Sequence, residues 1–391
     1  MHVLPENKRI PSIDRFRGFA LALMIIFGAA QSLAVSPVLL GMSTHDLTKA
    51  TLVMPSLAFY DLIAPLFVFA FGLSLSVPSS PLRKVSPKTH FRKVFSLLGL
   101  GAAFTLPDGK PLSFVFISFS IIAILLVCLW FIGLKTKKIN RKTVSSVLRN
   151  FILFVGIFAF VTAIVENGLF LAGKSVSHTH WSVLGSIGFA LLLVFPIKKL
   201  NVYAKLIFCV VFTAMYFACN FFIPQENFVF FTHGGLLGSF GWALLSAYAL
   251  AAADLRKISP VSALSFGAVL CALGFILNEY FLPSKSAVNL TYVLLTSSFS
   301  LLVFAFFDCF NGIKTRYSPL SVAGKNSLLL YMTHLVIFVP AGTVINALVG
   351  LIPVGTVLLT IIAFCTLVAY FLILSLILEK LNKKGFFVTI K

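Results

Sequence analysis

Apolar stretches recur along the whole chain, at 16–36, 55–78, 94–107, 112–134, 150–172, 182–197, 203–223, 234–253, 261–281, 288–312, 319–340 and 352–378. Strands of a membrane barrel would alternate apolar and polar residues in blocks of about ten. These runs are unbroken instead. About twenty apolar residues in a row suffice to cross a hydrocarbon core of about 30 Å as a helix, and a lipid-exposed segment has no other way to satisfy its own backbone. The pattern predicts an all-α, polytopic transmembrane bundle of about twelve spans, with 94–107 and 182–197 short for the bilayer. The longest connection, 37–54, cannot hold a soluble domain, so residues 1–391 read as a single membrane domain.

Composition sharpens this. Hydrophobic residues make up 59% of the 391 and charged ones 11%, against about 25% charged in soluble domains, and the mean hydropathy is +1.03. A water-facing globule is excluded. The formal charge of +20 does not point to nucleic acid, because the basic residues sit in short clusters between apolar runs. Lys and Arg are retained on the cytoplasmic side of a membrane. With the amino terminus inside, 26 of them fall on the inner side and four (Lys49, Lys110, Lys174, Lys285) on the outer, while Lys325 lies within a span. Both termini are therefore expected in the cytoplasm and the chain in the plasma (inner) membrane. The first apolar run lacks a small-residue cleavage site and is expected to be retained. All six cysteines lie inside apolar runs without metal-ligand spacing, which predicts reduced packing residues and no metal.

Several polar residues sit at bilayer depth, where an Asp costs about 2.5–3.5 kcal/mol. They are Asp61, Glu166 with Asn167, Glu279 and Asp308. The stretch GKNSLLLYMTHLVIF (324–338) adds a group. On a helix Ser327, Tyr331 and His334 are spaced i, i+4, i+7 and share one face. His334 lies roughly 24 Å from the inner start of its span at 1.5 Å per residue, near the outer leaflet. Two readings stand open: hydrogen bonding between helices, or chemistry, with His334 as the titratable group. His45, His178, His180 and His233 fall on the predicted outer side; the 178–180 pair lacks a third metal ligand and lies beside the interfacial Trp181. At the inner face, SIDRFRGFALALM places Asp14 and Arg17 at i, i+3 behind the capping residue Ser12. This is either a capped helix with basic anchors or, with Lys8, Arg9, Arg83 and Lys84, an anion site for a phosphorylated ligand.

Taken together and in order, these stretches resemble the transmembrane acyltransferases of the heparan-α-glucosaminide N-acetyltransferase type and their bacterial amino-sugar-related relatives. SIDRFRGFALALM is similar to the family's D-x-x-RG helix, and DLIAPLFVFAFGLSLS to its D-L-x-x-P-x-F-x-F-x-x-G-x-S helix. SVLGSIGFALLLV resembles the G-V-L-Q-R-I-A helix without its Gln-Arg. HGGLLGSFGWALLSAYALAAAD, NLTYVLLTSSFSLLVFAFFD and GKNSLLLYMTHLVIF resemble the G-L-L-G, N-L-W-x-x-S-Y-V and G-x-N-S-x-x-x-Y-x-x-H helices. The matches leave out 94–134, which reads as a helix hairpin inserted into a ten-helix core.

The resemblance implies acetyl-CoA as co-substrate entering from the cytoplasm and an amino sugar or glycan acetylated on the outer face. On that transfer reading His45, His334 and Asp61 are the expected catalytic residues, with either histidine as general base and Asp61 orienting an imidazole. Asn326, Ser327, Tyr331, Asn289 and His233 would contact substrate, Asn326 or Tyr331 stabilising an oxyanion. Asp14, Arg17, Arg83 and Lys84 would hold acetyl-CoA. Membrane lipids are the other expected partners, with a homodimer as a possible assembly. Two positions depart from the family. Its loop histidine corresponds to a position near Thr51, whereas His45, sixteen residues before Asp61, is the only histidine of that loop; its first-helix asparagine corresponds to Gly28. The other readings are a transporter of an amino sugar or cell-wall fragment through the same polar pathway, and a catalytically divergent binding relative.

Overall fold

The computed structural model describes residues 10–33, 57, 59–77, 86–103, 141–173, 183–223, 235–310, 318–327 and 356–383, with scattered residues between 118 and 129 and Leu330, Tyr331 and His334. Among the described residues every regular element is helical: α1 (Pro11–Leu33), a 3-10 turn (Phe59–Leu62) leading into α2 (Ile63–Leu75), α3 (Pro87–Ala103), α4 (Arg141–Leu171), α5 (Val183–Val194), a second 3-10 turn (Pro196–Lys199), α6 (Val202–Phe222), α7 (Gly235–Ile258), α8 (Pro260–Asn278), α9 (Leu290–Cys309), α10 (Pro319–Lys325) and α11 (Thr356–Lys383). Five segments are long and apolar enough to cross a membrane: Ser146–Leu171 of α4, and α6, α7, α8 and α9. The protein is a polytopic helical membrane protein. The starts are set by local chemistry. Ser259 and Ser318 cap α8 and α10 ahead of a proline at the first helical position, and Asn201 accepts the Ala204 N–H at 2.8 Å to cap α6.

The α6 helix shows why lipid, not water, is the solvent. Its buried face is its polar one: Lys205, Cys209, Phe212, Tyr216 and Asn220 recur at helical spacing and are covered. Its exposed face carries Ile207, Val210, Val211, Met215 and Phe221, each more than half exposed. In water this arrangement would forfeit the apolar burial that drives folding; in hydrocarbon it is the expected one, since polar side chains there turn inward. Helix α8 follows the same logic with small residues. Ala263, Gly267 and Gly274 face inward, and Gly267 and Gly274 admit Leu301 and Leu295 of α9.

The chain forms two compact units, each discontinuous in sequence. Unit 1 holds α1, α2, α8 to α11 and α7 from Tyr248 onward; unit 2 holds α3 to α6, α7 up to Ala247 and the turn 284–290. Within unit 1, α1 crosses α10 backbone to backbone. A Cβ on Gly18 would lie 1.8 Å from the Leu320 carbonyl oxygen, and one on Gly324 would lie 1.8 Å from that of Asp14. Unit 2 repeats the device between α3 and α4: Gly99 faces the Ile152 carbonyl and Gly156 that of Phe95. In all four helices the touching carbonyl belongs to the residue four before the glycine. Only glycine permits this approach, which brings Cα–H groups onto facing carbonyls.

The expected hairpin 94–134 begins as α3, and most of its second arm lies outside the described residues. The run 319–340, expected as one span, is interrupted. Helix α10 ends at Asn326, whose backbone leaves the helical region (φ −122°, ψ 31°) while its N–H bonds back to Ala323 at 3.2 Å and its side-chain Nδ2 donates to the Val322 carbonyl at 3.3 Å. An Asn side chain competes for backbone partners in this way. Helix resumes beyond it, with Leu330 N–H bonding to the Asn326 carbonyl.

Candidate functional site

At its basic end, unit 1 gathers four helices around two carboxylates. Arg17 Nη2 donates to Asp14 Oδ1 at 2.9 Å, one turn earlier on α1. The other Arg17 terminal nitrogen reaches Ser74 Oγ on α2 at 3.4 Å. Asp308, near the end of α9, accepts a bidentate pair from Arg256 at the end of α7 and a bond from Ser12 Oγ at 2.9 Å. Arg15 closes the rim by donating to the Phe310 carbonyl at 2.7 Å. Asp308 is thereby accounted for as the anchor of three helix ends, a structural use of a carboxylate within an apolar sequence. Of the expected cofactor residues, Asp14 and Arg17 stand in this rim; Arg83 and Lys84 lie outside the described residues.

Further candidates lie elsewhere in unit 1, in three separate contacts. Asp61 is buried in the 3-10 turn, and its backbone carbonyl accepts the Tyr292 hydroxyl at 2.6 Å from the first turn of α9. One helical turn into α2, the Phe67 ring stacks with Tyr331, centroids 6.3 Å apart. His334, 3% exposed, lies one turn beyond Tyr331 with its ring 6.5 Å from that of Tyr370 on α11. Four segments thus bring a carboxylate, an imidazole and three tyrosines into unit 1. Buried imidazole and phenol groups can accept a proton and donate hydrogen bonds to an oxyanion. Asn326 is buried beside its helix break and Ser327 is half-buried.

The remaining candidates fall elsewhere. Asn289 belongs to unit 2, where its side-chain oxygen accepts the Ser284 N–H at 3.1 Å and so closes the turn 284–290. His45 and His233 lie outside the described residues, as do His178 and His180. Glu166 is buried on α4, and Glu279 is an exposed cap of α8. Sequence reasoning missed Tyr292 and Tyr370. The first stands inside the NLTY motif and could have been singled out there; the second sits in an uninterrupted apolar run and gave no signal. Among the described residues no group of three His, Cys, Asp or Glu is placed to hold a metal ion.

Fold and site define a membrane-embedded helical protein with a buried imidazole, His334, beside the ring of Tyr370. The model of the family described as acyltransferase domain matches residues 10–380, and the chain belongs to that family. It is a membrane acyltransferase by descent. No curated protein matches the chain.

Proposed function

We propose that the protein transfers an acetyl group from cytoplasmic acetyl-CoA to an amino sugar or glycan on the outer face of the inner membrane, with both termini in the cytoplasm. The observation that carries this reading is the burial of His334, 3% exposed with its ring 6.5 Å from that of Tyr370, in a segment whose sequence predicts a lipid-crossing span. The similarity of GKNSLLLYMTHLVIF and the Asp61 stretch to the amino-sugar acetyltransferases supports the choice of donor and acceptor. In the proposed reaction the acceptor amine or hydroxyl attacks the thioester carbonyl, His334 or His45 takes the acceptor's proton, and the C–S bond breaks to release the CoA thiolate. Tyr331 or Asn326 donates to the oxyanion of the tetrahedral intermediate. An acetyl-histidine relay is the two-step version of the same chemistry.

The test is purified protein in nanodiscs given labelled acetyl-CoA and a panel of amino sugars. Label on the sugar, lost in His334→Ala and in His45→Ala with melting temperature retained, supports the reading. Transfer unaffected by both substitutions overturns the assignment of the base. Sugar uptake into sealed liposomes without acetyl-CoA, and no labelled sugar in its presence, overturns transfer in favour of transport.

A further inference from the structure

One buried bond in unit 1 ties α9 to the start of α2. Tyr292, in the first turn of α9, donates its hydroxyl to the backbone carbonyl of Asp61 at 2.6 Å. Both residues are buried, Tyr292 completely. Asp61 stands third in the 3-10 turn Phe59–Leu62 that leads into α2. In an α-helix the donor to its carbonyl is the N–H four residues further on. That residue is Pro65, which has no N–H to give. Leu62, between them, keeps the backbone of a 3-10 turn at φ −82°, ψ −19°. The Tyr292 hydroxyl thus supplies, from another helix, the donor that the proline lacks.

The bond has a consequence for the Asp61 side chain. A donor on this carbonyl fixes the peptide plane between Asp61 and Leu62, and with it the backbone from which the carboxylate projects. The anchor on the other side is firm, because Tyr292, Val293 and Leu294 are all fully buried on α9. Away from water such a bond is strong, and deleting one partner is felt in full. Proline and tyrosine lie in two separate motif stretches, DLIAPLFVF and NLTY, and the fold makes them one device.

We infer that Tyr292 is a positioning residue for the Asp61 carboxylate, acting through the Asp61 carbonyl that Pro65 leaves to it. The role of the carboxylate rests on the acyl-transfer reading; the bond itself does not.

The test uses the full chain in nanodiscs. Melting temperature reads the bond. Tyr292→Phe should melt lower than the wild type, and the loss should shrink in the Pro65→Ala background, where position 65 regains an N–H for the Asp61 carbonyl. Kinetics with labelled acetyl-CoA and an accepting amino sugar read the positioning. Tyr292→Phe should lower kcat about 10- to 10²-fold with KM unchanged, and adding Pro65→Ala should restore part of it. Added to Asp61→Asn it should cost nothing more, since both act through one carboxylate, and its pH–rate profile should move toward that of Asp61→Asn. Tyr216→Phe deletes a buried hydroxyl–carbonyl bond in unit 2; it should melt lower yet keep the wild-type profile, which marks a merely structural loss. Equal melting losses in the two backgrounds overturn the bond's exchange with Pro65. With an active wild type, a Tyr292→Phe effect that adds in full to Asp61→Asn, or an unshifted profile, overturns the positioning role. A wild type that labels no sugar overturns the acyl-transfer reading and the role with it.

Discussion

The two glycines where α1 meets α10 set the distance between the basic rim and the segment that bears His334, and placing a methyl group there is a direct test. In Gly18→Ala the new Cβ starts 1.8 Å from the Leu320 carbonyl oxygen and must reach at least 3.0 Å, so the helices separate by at least 1.2 Å. The obstructing atom is backbone, and no rotamer change can relieve it. Gly324→Ala meets the Asp14 carbonyl in the same way. Overpacking of this kind costs about 1–3 kcal/mol, and a displacement of about 1 Å in a catalytic arrangement lowers rate about 10²-fold. Each variant should therefore melt lower in detergent and lose about two orders of magnitude in acyl transfer, with His334 and Tyr331 untouched. The double variant should lose little more than either single one, since both separate the same pair of helices. Gly168→Ala is the control: it lies in α4 with nothing within 4 Å of its Cβ, and a helix-interior alanine there should be neutral or stabilising by about 0.5–1 kcal/mol. If Gly18→Ala and Gly324→Ala match Gly168→Ala in melting temperature, the backbone contact between α1 and α10 does not exist in the membrane and the reasoning is refuted.

Three further outcomes follow from single contacts. Asp308→Asn and Arg256→Ala, each destabilising, should show a coupling energy of about 1–2 kcal/mol in a double-mutant cycle, since the pair is bidentate but partly exposed; a coupling near zero denies the clamp between α7 and α9. Tyr216→Phe removes the 2.7 Å bond from its hydroxyl to the Val288 carbonyl. It should cost about 1–3 kcal/mol in unfolding experiments, because Val288, buried in the left-handed region at φ 53°, depends on that bond to hold an unfavourable backbone. Burial first, and the charge of Lys198 second, push the His90 imidazole down from 6.5 to about 4, with Lys93 adding to the effect. Between those values the unfolded chain binds more protons than the folded one, so stability falls as pH drops from about 6.5 to about 4. In detergent, the melting temperature of His90→Phe, which keeps the stack on Phe195, should fall less over that interval; parallel profiles would count against a neutral buried imidazole.

Much of unit 1 could be read from the chain because lipid leaves few options. Uninterrupted apolar runs become helices, and the capping serines and prolines mark the starts of α8 and α10. The inside-out face of α6 was not readable, since Lys205, Tyr216 and Asn220 look like stray polar residues until their common spacing is set against what covers them. Nor was the break at Asn326, where an apolar run continues unchanged in composition while one side chain takes over the backbone bonding. The basic residues show the limit of a charge count. Counted as loop charges they give an orientation, yet Lys93, Lys198 and Lys205 are buried, and nothing local distinguishes them from the exposed Lys88 and Lys199. His90 and Phe195 are more than a hundred positions apart, and only the fold stacks them.

The motif glycines acquire a physical reason in the same fold. Gly18 follows Arg17 in the DRFRG stretch and Gly324 opens GKNS, and these are the residues at which α1 and α10 touch. Asp14 and Arg17 precede that contact on α1, and Asn326 caps α10 just after it, with Tyr331 and His334 beyond the break. Asp14 carries both roles: its side chain pairs with Arg17 while its backbone carbonyl receives Gly324. A change at the basic rim that tilts α1 must therefore displace α10, and through the bend at Asn326 it alters the footing of the segment holding His334. The Asp14–Arg17 pair and the buried imidazole are thereby tied through one glycine-lined crossing.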